Sequence, residues 1–101
     1  MSVLISGKFH GDVDTFRKAL TERTDELAEV STQARSAGCL HHRFGVGDNF
    51  VILVDEWESA EAFDKFFNTP QLQQLVAEMG ASQDVPPEIT ITEVISSPDQ
   101  F

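Results

Sequence analysis

Asp55-Glu56-Trp57-Glu58-Ser59-Ala60-Glu61-Ala62-Phe63 joins a strand to a helix, and its reading decides the fold. Phe50 to Val54, just before it, is an unbroken run of apolar strand formers. Within and after it, Ala62, Phe63, Phe66 and Phe67 recur at helical spacing. Ser59 stands where its hydroxyl can accept a hydrogen bond from a free amide of the first helical turn. Trp57, the only tryptophan in the chain, falls at the end of the strand beside a sharp turn. Its ring is placed to line any cavity between sheet and helix.

Working outward, Phe50–Glu58 is the third strand of the chain. Gly47-Asp48-Asn49 has the composition of a hairpin turn, and Cys39–Val46 is the preceding strand. Gly38 is placed to stop a long helix that starts at Asp12 or Asp14, with Val13, Phe16, Leu20, Leu27, Val30 and Ala34 as its core stripe. Ser2–Phe9 alternates around Val3, Ile5 and Phe9 and forms the first strand. Beyond the quoted stretch, the helix from Ser59 is interrupted near Pro70 and resumes through Leu72, Leu75, Val76 and Met79. Gly80–Pro87 is loop, Glu88–Ser96 a fourth strand, and Ser97–Phe101 a tail that only a partner chain would hold.

The order βαββαβ is α+β and ferredoxin-like, a four-stranded antiparallel sheet within one domain spanning residues 1–101. Two helices cover one face of such a sheet. The third strand is apolar on both faces, with Phe50, Ile52 and Val54 on one and Val51, Leu53 and Trp57 on the other. An apolar sheet face left to water is an interaction site, so a homodimer through that face is expected.

Composition narrows the partners. Seven Lys+Arg against seventeen Asp+Glu leave a net charge of −10, which repels nucleic acid and anionic membranes. No apolar run approaches the roughly 18–20 residues that span a bilayer. The amino terminus carries no basic-then-apolar leader. Cys39 has no second cysteine to pair with and is expected to be a buried, inert thiol. These features point to a cytoplasmic protein.

The hairpin's register depends on its loop length, and a one-residue shift would pair His41 rather than His42 with Asp55. With two or four residues in its loop, Val46 lies opposite Val51, Phe44 opposite Leu53, His42 opposite Asp55 and Leu40 opposite Trp57. On the other face His41 meets Glu56, with Arg43 diagonal to Glu56 as a possible ion pair. His10, near the loop after the first strand, reads as solvated. A carboxylate beside an imidazole orients the ring and favours a base. The structural alternative is a cross-strand ion pair that adds roughly 0.2–1 kcal/mol and does no chemistry. No compact histidine spacing suggests a metal, and no nucleotide fingerprint is present.

With Gly38-Cys39-Leu40 opening the second strand and Glu56-Trp57-Glu58-Ser59-Ala60-Glu61-Ala62-Phe63 closing the third, the chain resembles the antibiotic biosynthesis monooxygenase family of the dimeric α+β barrel superfamily. The resemblance implies a barrel of two sheets and a ligand cavity between each sheet and its own helices. It also implies a cofactor-independent monooxygenase of an aromatic or polycyclic phenol or quinol. Trp57 matches the quinone-forming members, whereas their asparagine and tyrosine are replaced here by Leu53 and Phe63. The tryptophan and histidine of the haem-degrading branch are replaced by Phe66 and Val76. The expected catalytic set is His42 as base, Asp55 as its orienter and Trp57 as a stacking wall. Leu53, Phe44, Phe63, Phe66 and Thr24 are the expected substrate contacts, with no cofactor and no metal. Ser31 shares with Thr24 a polar gap in the helical stripe, open either to a ligand or to bonds within its own helix. The alternative function is a non-catalytic small-ligand-binding or assembly protein on the same fold, its cavity in the latter case filled by Phe44, Phe63 and Phe66.

Overall fold

The computed structural model describes residues 1–101. Four strands, β1 (Val3–His10), β2 (Cys39–Val46), β3 (Phe50–Trp57) and β4 (Glu88–Glu93), form one antiparallel sheet in the order β2-β3-β1-β4. Four helices connect them: α1 (Val13–Glu22), α2 (Thr24–Ala37), α3 (Ala60–Phe67) and α4 (Pro70–Glu78). This is the ferredoxin-like α+β arrangement, with each crossover helix broken in two. None of the four is long and apolar enough to cross a membrane.

Local chemistry accounts for most boundaries. Asp12 caps α1 by accepting from the amides of Asp14 and Thr15, at 3.0 and 3.2 Å. Ser59 caps α3 through the Ala62 amide at 3.1 Å. Thr69 caps α4 through the Leu72 amide, with Pro70 at the first helical position, where a missing N–H costs nothing. Gly38 ends α2 with φ of 121°, a conformation that side chains resist, and a Cβ there would meet Glu58 Oε2 at 3.2 Å.

Three boundaries differ from the sequence reading. The first crossover is two helices, because Arg23 leaves helical geometry (φ −116°, ψ 33°) and its guanidinium reaches Glu26 at 3.0 Å and Glu78 at 2.8 Å. β4 stops at Glu93 rather than Ser96. Leu40 does not oppose Trp57: a bulge between Cys39 and His41 pairs Trp57 with Cys39 and extrudes Leu40 to solvent.

The helices lie on one face. Beneath them Val3, Ile5, Cys39, Leu53, Trp57 and Phe63 make one core cluster, and Phe16, Ala19, Val51, Leu75 and Met79 a second. α3 is clamped by its rings, with Phe63 stacked on Phe67 at 5.3 Å and edge-on to Trp57 at 5.7 Å. α2 carries an apolar stripe yet buries no residue fully. On the opposite face Leu4 and Val54 stay about half exposed, as expected for a sheet whose second side lacks a cover within the protomer.

Candidate active site

The hairpin closes with the Gly47 amide bonded to the Phe50 carbonyl at 2.9 Å, and the pairing then runs back regularly: Val46–Val51, Phe44–Leu53, His42–Asp55 and His41–Glu56. The bulge at Leu40 lies beyond both histidines and leaves their register intact. Because side chains alternate along a strand, His42, Phe44, Leu53, Asp55 and Trp57 share the helix-covered face.

Asp55 is the centre of this group. It is the only buried charged residue, 5% exposed, and each of its oxygens has its own partner. His42 Nδ1 lies 2.6 Å from Oδ1, and the Trp57 indole Nε1–H donates to Oδ2 at 3.0 Å. An ionised carboxylate only accepts, so the proton of this short bond belongs to Nδ1, and Nε2 of the neutral ring is left as the free acceptor. Trp57 is 2% exposed and pinned by this bond and by Phe63 and Phe66. The His42 side chain is 44% exposed and meets Phe44 edge-on at 4.6 Å, which in turn meets Phe16 at 5.0 Å. No buried side-chain nitrogen or oxygen lacks a partner.

A cavity of about 570 Å³ lies between sheet and helices, within the usual size of small-molecule sites. His42, Asp55, Trp57, Leu53, Phe44, Phe63 and Phe66 all line it. The phenylalanines are its wall and do not fill it. Thr24 is the exception among the expected contacts: it begins α2 just after the Arg23 break, is exposed, and does not reach the cavity. Ser31 does, together with Arg35, which the sequence reading overlooked. The signal was available, since Arg35 follows Leu27 and Ser31 at helical spacing.

Cavity residues that still meet solvent identify the mouth. Asp12, Leu20, Ser31, Arg35, Leu40, His41, His42 and Phe44 are lining yet exposed, and all belong to α1 with its cap, α2 or β2. The cavity therefore opens between the first crossover and the edge strand, and His42 stands at that opening.

His10, Asp12, Cys39 and His41 also line the cavity, whereas Arg43 and Glu56 do not. Arg43 and Glu56 form no ion pair; Glu56 instead accepts from the Ser2 hydroxyl at 2.7 Å. His10 is not merely solvated, since its Nε2 lies 2.6 Å from Glu88 Oε2. Burial, reinforced by the charge of Asp55, pushes the Cys39 thiol up to about 11, so at neutral pH it is a protonated thiol and a poor nucleophile. No three or more His, Cys, Asp or Glu side chains gather as a metal would require.

A sheet in the order β2-β3-β1-β4, helices on one face and an apolar cavity between them define a ferredoxin-like α+β protein with an internal pocket. Residues 10–78 match the antibiotic biosynthesis monooxygenase family, and the chain belongs to it. Among solved structures, it is similar to a monooxygenase from the ActVA-Orf6 gene of Streptomyces coelicolor in complex with nanaomycin D (17% identity, 99% of this chain and 93% of that one, TM-score 0.71). It is also similar to SnoaB, a cofactor-independent oxygenase from Streptomyces nogalater (12% identity, 98% of each chain, TM-score 0.60). A dimeric ferredoxin-like protein from an uncultured marine organism matches as well (17% identity, 99% of this chain and 93% of that one, TM-score 0.61). No curated protein matches the chain by sequence. At these identities the structural likeness is one of fold.

Proposed function

We propose that this chain is a cofactor-independent monooxygenase of an aromatic or polycyclic phenol or quinol bound beside Trp57, with His42 as general base. The observation that carries this reading is the double engagement of Asp55, which holds the indole through one oxygen and turns Nε2 of His42 into the free acceptor through the other. The family and the two similar oxygenases support it.

In this proposal the phenolic proton passes to His42 Nε2, and Asp55 stabilises the imidazolium that results. The electron-rich phenolate reduces dioxygen, and a carbon–oxygen bond forms at the activated ring carbon. The O–O bond then breaks as that carbon loses its hydrogens. One oxygen atom stays as the new carbonyl of a quinone, and the other leaves as water. The substrate itself is the reductant, so electrons balance without a further donor.

A homodimer through the outer face of the sheet belongs to the same proposal. Leu4 and Val54 are exposed there, and the similar dimeric ferredoxin-like protein supports the assembly.

Oxygen uptake with a set of anthrones and quinols tests the function. The expected result is consumption above autoxidation for at least one compound, with turnover falling by about 10²-fold or more in His42→Gln. Unchanged turnover in His42→Gln removes the base role. Saturable binding with no oxygen uptake turns the reading to a small-ligand carrier.

A further inference from the structure

The floor and the mouth of the cavity differ in chemistry, and that difference bears on what the ligand must be. Apart from Asp55, whose oxygens are already engaged, the buried lining is apolar. At the seam between α2 and β2 the polar lining residues are Ser31, Arg35, His41 and His42, while His10 and Asp12 line the wall next to the start of α1. Arg35 is the only lysine or arginine on the cavity wall.

Of the seven Lys+Arg, Lys18 and Arg23 are ion-paired; Lys8, Arg17, Arg35, Arg43 and Lys65 are not, and of these Arg35 alone lines the cavity. Arg23 is held by Glu26 and Glu78, and Lys18 lies 3.9 Å from Glu22. Arg35 makes no ion pair and no side-chain hydrogen bond, so its donors are free at the mouth. Ser31 precedes it by one helical turn on the same face. Thr32 bonds back to the Ala28 carbonyl at 3.2 Å, but the Ser31 hydroxyl makes no such bond. Two unspent polar groups therefore stand side by side over an apolar chamber.

We infer that Arg35, assisted by Ser31, anchors a carboxylate, so that the ligand is an aromatic acid; this rests on the reading of the cavity as the substrate site. The guanidinium fork matches the two oxygens of a carboxylate in a plane, which a point charge cannot do. A planar ring system then descends between Phe16, Phe44 and Trp57 while its acid group stays in the solvated mouth, where the desolvation penalty of a buried ion pair does not arise. The net charge of −10 opposes any anion at long range, but salt screens that field beyond about 8 Å; Asp12 and Asp55 also line the cavity, so the attraction rests on the direct contact with Arg35. With the acid held on the α2 side, the ring edge facing β2 is the one presented to His42. The anchor is thus a positioning device that selects which hydroxyl reaches the base.

The test is Trp57 fluorescence quenching at neutral pH by a matched pair of probes, an anthraquinone carboxylate and its neutral carboxamide. Wild-type protein should bind the carboxylate about five- to tenfold more tightly. Arg35→Gln should abolish that preference by weakening the carboxylate far more than the carboxamide. Arg35→Lys should retain only part of it, and Arg43→Gln, which changes a cation on the other face of the sheet, should retain it in full. Equal affinity for both probes in the wild type, survival of the preference in Arg35→Gln, or no quenching by either probe overturns the inference. The function reading fails separately: a carboxylate preference without oxygen uptake keeps the anchor and loses the oxygenase, whereas uptake of neutral quinols without the preference does the reverse.

Discussion

His42 meets Asp55 and His10 meets Glu88 at the same separation, 2.6 Å, and both pairs bridge neighbouring strands. Their surroundings differ. Asp55 is 5% exposed and has a second donor in Trp57, whereas the Glu88 side chain is 66% exposed and ties only His10. In water a charge pair is screened and has little net effect on stability. In the interior the same pair is strong, but only because every lone pair aimed inward is satisfied; remove one member and a buried group is stranded. Distance alone does not separate a surface latch from a candidate catalytic unit. Burial and the third partner do.

The comparison is broken most sharply at Asp55. Asp55→Ala strands the Trp57 indole N–H in the core and frees the His42 ring, so unfolding free energy should fall by about 3 kcal/mol in urea titrations. A loss indistinguishable from that of Glu88→Ala would show that burial does not distinguish the pairs.

Cys39 sharpens the same contrast through its burial, with the nearby Asp55 charge adding to the effect. Its folded value, about 11, lies above the ordinary 9.0. Below pH 9.0 both states hold the thiol proton and stability does not depend on it. Between 9.0 and about 11 the unfolded thiol ionises while the folded one does not, so stability is lost as pH rises through that window. The wild type should lose about 2 kcal/mol more than Cys39→Ala across it. Parallel pH profiles would place the thiol in a far more polar setting than the core cluster.

Glu88 gives the smallest effect. The bond from His10 holds its carboxyl below the ordinary 4.5. The sign is therefore opposite to that of Cys39: the contribution is present above 4.5 and lost as pH falls below it. Glu88→Gln should unfold at a slightly lower midpoint than wild type at neutral pH, and that small difference should vanish in acid. A large shift at neutral pH would make the exposed pair the more important one.

How much of this was legible depends on how local its cause is. The His42–Asp55 pairing follows from the Gly47-Asp48-Asn49 turn and the two-residue period of strands, both local. The His10–Glu88 pairing joins residues 78 apart, and no local pattern reports which end of β1 meets β4. Leu20, Thr24, Leu27 and Ser31 look like one continuous stripe in the sequence, which makes Thr24 read as a cavity contact that it is not. The break at Arg23 depends on a reach to Glu78 on a distant helix and leaves no proline or glycine to mark it. The bulge at Leu40 was equally silent. The cavity itself was inferred from the family resemblance, since its volume depends on how far α2 stands off the sheet, which no residue pattern encodes.

His42 can serve as base only if Asp55 holds it in the tautomer that carries its proton on Nδ1. Long-range ¹⁵N–¹H correlation spectra of the imidazole rings read that tautomer directly, without any substrate. In the neutral ring, His42 should show a protonated Nδ1 and a bare Nε2, with the pattern lost in Asp55→Ala and unaffected in Glu88→Gln. A neutral His42 protonated on Nε2 in the wild type would contradict the account, because the nitrogen required as base would already hold its proton.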